Sequence, residues 1–498
     1  MDDRHTIQLK SPQGRWTVAA AVLGSGAVFL EGTVVNVALP TIGGEFALGM
    51  SGLQWIMNGY LLTLSALMLL GGSLGDVYRR RKVFVIGLVA FTVMSALCSM
   101  APNVEVLVAL RLLQGAAGAL LVPNSLAILD TVFTDEDRAG AIGQWAGWSA
   151  VSTALGPLAG GWLVEAASWR WVFASVTPFA IAAAWIAWRH VPDVRTTESG
   201  SRSIDYLGAA LVTAGLGGVI GALMSGPNDG FTHPAIMSAG LVGVVLLAAF
   251  VVVERRSADP LLPLVLFRSR QFSGTNATTL LVYAALSGLF FFLVLQLQNV
   301  VGYSALETGA ALLPVNIIML ALSPAAGRLG QRIGPRLPMT VGALLAAGGM
   351  LLLSRVSSDA AYLTGVLPGL AVFGLGLSAL VAPLTAAVLG AVDDEQVGIA
   401  SAVNNAVARL AGLLAVAIIP LAAGLGGLDD IDGPAFAAGY TRAMLISAAL
   451  CAMGSAIAFI TVRKAARAEP LVHPDPSHAC TGRRPAHAHA DGGSGRPG

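Results

Sequence analysis

Long apolar runs without charge constrain this chain more than any other feature. Residues 83–101 (VFVIGLVAFTVMSALCSMA) and 443–462 contain no Asp, Glu, Lys or Arg. A helix of about 20 apolar residues is long enough to cross the hydrocarbon core of a bilayer. Only 11% of the 498 residues are charged, whereas soluble domains have about 25%. The sequence therefore predicts an all-α membrane protein with many spans.

Charged residues, prolines and glycine clusters divide the chain into fourteen predicted spans. The first apolar run extends past Leu30 without an Ala-x-Ala cleavage site, so we interpret it as a retained span and not as a signal peptide. The predicted spans are 16–39, 54–75, 83–101, 105–127, 140–164, 170–189, 205–225, 234–253, 272–298, 306–327, 338–354, 362–390, 400–423 and 441–462.

The basic residues orient these spans. An even number of spans places both termini on one side, and 24 of the 29 Lys and Arg residues fall on that side. Only Arg170, Arg355 and Arg442 fall on the other side, while Arg111 and Arg409 lie within spans. By the positive-inside rule, the basic side and both termini are cytoplasmic.

A weak internal repeat suggests two related halves. A set of four residues at the end of the second span recurs 255 positions later at the end of the tenth, and repeated halves are typical of transporters. The sets are Gly72, Leu74, Gly75 and Arg81, and Gly327, Leu329, Gly330 and Arg336. We therefore predict a six-helix bundle over 1–190, a two-helix insert with cytoplasmic linkers over 191–262, a second six-helix bundle over 263–463 and a disordered cytoplasmic tail over 464–498.

The loop between the second and third spans carries a family signature. Residues 72–82 read GSLGDVYRRRK and resemble the G-x-L-[AG]-D-[RK]-x-G-R-[RK]-[RK] loop of the major facilitator superfamily. Val77 replaces the usual base and Arg79 replaces the usual Gly. The resemblance implies the major facilitator fold, with two six-helix bundles and here two extra transmembrane helices between them.

The same resemblance gives this loop a role. It implies that Gly72, Asp76, Arg80 and Arg81 form a gate loop. Asp76 would dock in the outward-facing state near residues 327–336, where Arg332 and Arg336 are available partners. Without the family match, the loop reads as a basic cytoplasmic anchor.

Further segments resemble the fourteen-span drug:proton antiporter branch of the superfamily. They are LEGTVVNVALPTI (30–42), RLLQGAAGA (111–119), GPLAGG (156–161), WRWVF (169–173) and NNAVARLAG (404–412). Four positions depart from the branch patterns: Glu31 replaces the commoner Asp, Ser152 replaces a Gly, Leu410 replaces a Gln, and the second Gly of the fourth-span pattern is shifted to Gly118. The resemblance implies an exporter motif made of Gly156, Pro157, Gly160 and Gly161.

Glu31 and Arg111 are the candidates for proton coupling and substrate binding. Glu31 is the one acidic residue well inside a predicted span, and a carboxylate at that depth costs roughly 2.5–3.5 kcal/mol on insertion scales. It must therefore face an aqueous cavity, pair with a cation or stay protonated, and a protonated Glu that serves only helix packing is the structural alternative.

Arg111 carries its charge at every accessible pH and needs a partner. From the predicted span ends, Glu31 lies about 12 Å and Arg111 about 9 Å below the outer surface. The family fold places these two helices side by side, so we expect Arg111 to favour the ionised form of Glu31. The alternative is that Arg111 only binds backbone carbonyls.

Other polar residues in the spans are weaker candidates for a functional role. Asn36, Asn58, Gln114 and Arg409 are the further intramembrane candidates, and neutral groups of this kind mostly form interhelical hydrogen bonds. Pro157 removes one backbone donor and bends its helix, and the glycines around it either allow tight packing or favour a bend used in alternating access.

These features together predict a secondary active exporter and not an enzyme. It would exchange protons for a small hydrophobic or lipophilic-cation compound such as an antibiotic, in the lipid bilayer of a bacterial inner membrane, as a monomer. No G-x-x-x-x-G-K-[ST] segment is present to bind ATP. The net charge of +1 and three scattered cysteines predict no nucleic acid partner, no metal and no cofactor.

Three alternatives stay open at this point. One is an exporter dedicated to a single biosynthetic product or a siderophore, and another is a membrane sensor that has lost transport. A membrane enzyme acting on a lipid-linked substrate would need clustered His, Asp or Glu near an interface, and the seven His residues fall in loops and at the termini. The 26 Arg against three Lys suggest a GC-rich bacterial genome.

Overall fold

A computed structural model describes residues 7–463 except 194–203, 258–259, 394–395, 430 and 432. The predicted tail, 464–498, lies outside the described residues. Fourteen long helices occur within the described part, and each coincides with one predicted span. They are α1 (Pro12–Phe46), α2 (Met50–Tyr78), α3 (Arg80–Ser99), α4 (Val104–Val132), α5 (Asp135–Ala166), α6 (Arg170–His190), α7 (Tyr206–Asp229), α8 (Pro234–Arg256), α9 (Arg270–Val300), α10 (Ala305–Ile333), α11 (Arg336–Leu353), α12 (Tyr362–Leu389), α13 (Val397–Ala422) and α14 (Pro434–Thr461).

Thirteen of these helices are long and apolar enough to cross a membrane, counted over the described residues. The fourteenth, α5, is 32 residues long but begins with the charged segment 135–138 and continues with many Gly, Ser and Thr residues. It packs between α1 and α10. Its polar composition fits a helix that contacts protein and internal space more than lipid.

Local signals set the helix ends. Ser11 accepts a hydrogen bond from the Gly14 amide at the start of α1, and Asn103 accepts one from the Val106 amide at the start of α4. Ser304 and Glu307 form a capping box at the start of α10. These caps satisfy amides that have no partner within the helix.

Two predicted helix ends were wrong by a full two turns. The first helix continues through Pro40 to Phe46, seven residues beyond the predicted end at 39, and α14 begins at Pro434 instead of 441. Pro434 stands at the first helical position, where proline is well tolerated. Arg442, which stands at the edge of the predicted span, consequently lies about two turns inside α14, and its guanidinium donates to the Ala423 carbonyl at 3.3 Å.

The two inserted helices pack unequally. Apolar side chains of α7 pack against both α2 and α13, around Leu62, Ile220 and Leu413. The last helix of the insert, α8, packs mainly on α7 and exposes Leu241 and Val245 on its other faces. We infer that α8 faces lipid while α7 covers the groove between α2 and α13.

Hydrogen bonds join the helices α1–α6 to the helices α9–α14 toward one end. We call the end with the basic loops, where α5 begins and α10 ends, the basic end. Hydrogen bonds between the two sets lie toward the opposite end: Gln54 Nε2 to the Val416 carbonyl (2.6 Å), Gln298 Nε2 to the Val37 carbonyl (3.0 Å), Asn316 Nδ2 to the Ala154 carbonyl (3.1 Å) and Ser304 Oγ to Glu165 Oε2 (3.1 Å).

The basic end of α5 and α10 carries exposed side chains. Ala139 and Gln144 on α5 are exposed, as are Leu329 and Gln331 on α10. From the hydrogen bonds at the opposite end and the exposure at the basic end, we infer that the structure is closed at the opposite end and open toward the basic end.

Candidate functional site

A buried ion pair joins α1 and α4. Arg111 Nη1 donates to Glu31 Oε1 at 2.9 Å, and both side chains are 0% exposed. The two residues that the sequence singled out independently are thus brought together. Glu31 does not face an aqueous cavity in this conformation. Of the three ways considered above to accommodate a buried carboxyl group, namely an aqueous cavity, a cation partner or protonation, the structure shows the cation partner.

Arg111 also has neutral partners. Its Nη1 donates to Gln114 Oε1 at 2.7 Å and its Nε donates to the Ile56 carbonyl of α2 at 3.2 Å. The guanidinium carbon lies 4.3 Å from the ring centroid of Tyr60 and 5.7 Å from that of Phe173. Aromatic faces at these distances attract a cation, so the charge of Arg111 is compensated from several sides.

The network extends to two further helices. Gln114 Nε2 donates to Ser95 Oγ on α3 at 3.0 Å, and Ser95 Oγ donates to the Phe173 carbonyl on α6 at 3.0 Å. A change in the charge of Glu31 would therefore affect hydrogen bonds that join α1, α3, α4 and α6. Tyr60 and Ser95 were not among the sequence candidates, because their role depends on which helices meet.

The depth calculation from the sequence was wrong although the pairing was predicted. Because α1 continues to Phe46, Glu31 lies about 22 Å along the helix from that end, whereas Arg111 lies about 10 Å from the start of α4 at Val104. Two atoms of the pair, Glu31 Oε2 and Arg111 Nη2, have no hydrogen-bond partner among the described residues.

The glycines of 156–161 allow α5 to approach α1 closely. A Cβ atom on Gly156 would lie 2.0 Å from Thr33 Oγ1, and one on Gly160 would lie 2.8 Å from the Val34 carbonyl oxygen. Any larger residue at these positions would therefore collide with α1. Tight packing, one of the two readings of this motif, holds for these two glycines.

Gly161 and Pro157 instead face α10. A Cβ on Gly161 would lie 2.3 Å from the Ala305 carbonyl oxygen, and a Cβ on Gly309 would lie 2.2 Å from the Pro157 carbonyl oxygen. Two glycines on opposite helices thus allow backbone contact at the end where the structure is closed. Gly309 was missed in the sequence, where nothing distinguishes it from other glycines.

The loop 72–82 is held within the first set of helices. Asp76 Oδ1 accepts hydrogen bonds from Arg80 Nη2 at 2.8 Å and Nε at 3.0 Å, and Arg80 Nη1 donates to the Ala127 carbonyl of α4 at 2.8 Å. Arg81 donates to the Trp188 carbonyl of α6. Arg336 instead stacks over Phe459 at 4.1 Å, so the docking of Asp76 near 327–336 in another state stays a prediction.

Arg79 adopts the conformation of the glycine that it replaces. Its φ is 76°, in the region that glycine adopts readily and other residues rarely. The side chain forms an ion pair with Asp193. Close packing in this loop comes from Gly75, whose Cβ would lie 1.7 Å from Asn124 Oδ1, whereas Gly72 would make an ordinary contact of 3.6 Å with Pro123.

The remaining polar candidates are dispersed. Asn58 Nδ2 contacts Met224 Sδ of α7 at 3.2 Å, and Asn36 Nδ2 lies 3.5 Å from the Gly32 carbonyl. Arg409 lies with its guanidinium carbon 5.1 Å from the ring centroid of Phe29. Gln54, which links α2 to α13, was missed, although a neutral polar residue inside a span was the pattern used to select the others.

The described residues contain no group of three or more His, Cys, Asp or Glu side chains that could hold a metal ion. A proton on Glu31 would remove the negative partner of Arg111, and the helices of the network would respond.

Comparisons with known proteins agree with this geometry. Residues 21–416 match the Major Facilitator Superfamily. The chain is 33% identical over 467 residues to the puromycin resistance protein pur8 of Streptomyces alboniger, covering 91% of this chain and 92% of that protein. It is 32% identical over 405 residues to the tetracenomycin C resistance and export protein of Streptomyces glaucescens, covering 81% and 74%.

Solved structures confirm the fold. The chain superposes with a TM-score of 0.64 on a bacterial homolog of the human lysosomal transporter Spinster in an inward-facing, unoccupied conformation, at 18% identity, covering 91% of this chain and 97% of that one. A peptide transporter superposes with a TM-score of 0.63 at 14% identity, with the same coverage. The predicted fold class is therefore confirmed.

Proposed function

Because this chain belongs to the Major Facilitator Superfamily, we propose that it is a proton-coupled exporter of small hydrophobic compounds, including antibiotics, that works by alternating access. It is a multi-pass membrane transporter. Relatives that are named for antibiotic resistance or export, such as pur8 and the tetracenomycin C protein, support the substrate class.

The observation that most directly supports proton coupling is the buried ion pair of Glu31 and Arg111. Glu31 Oε2 has no hydrogen-bond partner among the described residues, so it can accept a proton while Oε1 keeps its contact with Arg111. Protonation would weaken the attraction across the pair and leave a buried cation less compensated. The network through Gln114 and Ser95 passes this change to other helices.

The burial of the pair also separates proton binding from substrate binding. Glu31 and Arg111 are both 0% exposed, so a compound in the opening between the two sets of helices does not have to touch them. We infer that the proton acts on the equilibrium between conformations, because direct competition for one exposed carboxylate would need that carboxylate to be accessible.

The structure corresponds to the inward-facing state in this proposal. The basic loops place the basic end in the cytoplasm by the positive-inside rule, and the helices are open at that end. The protein would lie in a bacterial inner membrane as a monomer, with both termini cytoplasmic. Outward opening would then separate α5 from α10 where Gly161 and Gly309 now allow contact.

Proteoliposomes test the proposal. Purified protein is reconstituted, a pH gradient is imposed, and movement of puromycin, ethidium, fluorescein and rhodamine 6G is measured. We expect Glu31→Gln to abolish gradient-driven movement. Glu105→Gln, the same change at an exposed position on α4, is the matched control and should transport as wild type does. Failure of wild type to move any compound in response to the gradient would contradict the proposal.

A second candidate is an exporter dedicated to one product. The relative with 92% of its length covered is named for a single antibiotic, which favours this reading over broad efflux. The same proteoliposomes distinguish the two, because a dedicated exporter would move one compound of a structurally diverse panel and a multidrug exporter would move several.

A further inference from the structure

Arg409 is a cation near the middle of α13 that forms no hydrogen bond with the Glu31–Arg111 network in the described part of the chain. Its helix extends from Val397 to Ala422, so Arg409 lies about halfway through the span. Within the described residues its guanidinium makes no hydrogen bond and no ion pair, and its ring contact is with Phe29 of α1 at 5.1 Å. A permanently charged group at this depth requires either water or an anion.

The surroundings of Arg409 are aromatic and partly open. Phe29, Gly32 and Asn36 follow one another along one face of α1 at helical spacing. A Cβ on Gly32 would meet no atom within 4 Å, so space exists beside this face. Tyr60 of α2 and Tyr283 of α9 lie within electrostatic range of Arg409. Tyr283, like Phe29, is only partly buried.

An unpaired acceptor lies on the same face. The Asn36 side-chain oxygen has no hydrogen-bond partner among the described residues. This oxygen is buried, so the accessible groups between α1, α9 and α13 are one cation and two aromatic rings. Such a set suits a ligand that has an acidic group and a planar ring.

Charge decides which ligands this space favours. Glu31 and Arg111 compensate each other at 2.9 Å, whereas Arg409 has no carboxylate partner in the described part of the chain. The space beside Arg409 thus has a net positive charge and repels a cationic compound. A carboxylate or phenolate would gain charge-assisted hydrogen bonds from the planar guanidinium.

We propose that Arg409 binds the acidic group of the transported compound, so that the protein selects planar aromatic acids over lipophilic cations. This inference rests on the proposed function and narrows it. Phe29 and Tyr283 would contact the aromatic ring.

Two dyes with the same xanthene ring system test the proposal: fluorescein, which is anionic at neutral pH, and rhodamine 6G, which is cationic. Binding to the purified full-length protein in nanodiscs is followed by fluorescence anisotropy. We expect wild type to bind fluorescein at least about tenfold more tightly than rhodamine 6G. Arg409→Gln should weaken fluorescein binding by about tenfold or more without weakening rhodamine 6G binding.

Controls separate charge from general damage. Arg409→Lys keeps the charge and should retain fluorescein binding within about threefold, since a point charge replaces the bidentate fork. Arg355→Gln removes a positive charge from an exposed loop and should change neither dye. Equal melting temperatures of the variants show that each one is folded.

The inference is overturned if wild type prefers rhodamine 6G, binds neither dye, or binds fluorescein equally well in Arg409→Gln. Transport distinguishes this failure from failure of the proposed function. Gradient-driven export of rhodamine 6G but not of fluorescein would support the proposed exporter function and contradict the proposed selectivity for aromatic acids. If fluorescein binding depends on Arg409 but no compound shows gradient-driven transport, the binding site is supported and the proposed exporter function is contradicted.

Discussion

Replacing Gly161 by Ala should shift the protein away from the conformation described here. The added Cβ would lie 2.3 Å from the Ala305 carbonyl oxygen and 2.8 Å from the Leu306 Cα. Both are backbone atoms of α10, so no side-chain rotation relieves the contact. Ordinary contact begins at 3.4 Å, and the two helices must therefore separate by about 1 Å at this point.

The expected magnitude follows from overpacking. Insertion of a methyl group into a tightly packed contact costs about 1–3 kcal/mol, which changes a conformational ratio by roughly 5- to 150-fold. Because the α5–α10 contact exists only when this end is closed, the whole penalty falls on the inward-facing state. Gly147→Ala is the matched control, since a Cβ at Gly147 of the same helix meets nothing within 4 Å.

Spin-label distances measure the shift. Labels on Cys introduced at Ala139 of α5 and Gln331 of α10, both exposed at the basic end, report whether that end is open. Cys98 and Cys451 are buried, and Cys480 is replaced by Ser. We expect Gly161→Ala to show a larger short-distance population than wild type and Gly147→Ala show. Identical distributions in all three proteins would refute the argument.

Three further predictions concern the loop and the topology. Asp76→Asn should strongly reduce transport. The protein should stay folded, because the partly exposed ion pair with Arg80 contributes only about 0–1 kcal/mol to stability. Transport at the wild-type rate, at equal membrane abundance, would show that the loop is only a basic anchor. Arg79→Gly should leave the melting temperature unchanged or raise it, because relief of the positive φ offsets the lost exposed pair with Asp193, and a large drop would contradict this. Single Cys residues at Asp229 and Ser257 should react with impermeant label from opposite sides of the membrane, and labelling from one side would reject fourteen spans.

The sequence predicted every long helix but not every helix end. Charge-free runs identify spans because lipid excludes charge, and the described residues contain a helix at each predicted span. The ends of α1 and α14 were misplaced because the predicted boundaries were set at charged residues, prolines and glycine clusters. Pro40 lies inside a continuous helix, and Pro434 begins one.

The pair of Glu31 and Arg111 was predictable because each residue alone is costly in a membrane and the family resemblance places their helices side by side. Its other partners, among them the Ile56 carbonyl and the ring of Tyr60, were not, because they depend on helix packing in three dimensions. The same holds for Gly309, whose importance lies in the helix opposite it.

Proton coupling at Glu31 is the central claim, and its direct test is proton release induced by a transported compound. Detergent-purified protein in weak buffer is mixed with the panel compound that shows the fastest gradient-driven export, and the pH change is recorded over a range of starting pH. Glu31→Asp should retain part of the wild-type release, because it keeps a carboxylate, and Glu105→Gln should retain all of it.

The predicted result is that wild type releases protons on binding and Glu31→Gln releases none, because the amide has no proton to give up near neutral pH. If Glu31→Gln releases protons as wild type does, the coupling site lies elsewhere, and the buried pair with Arg111 serves only to pack α1 against α4.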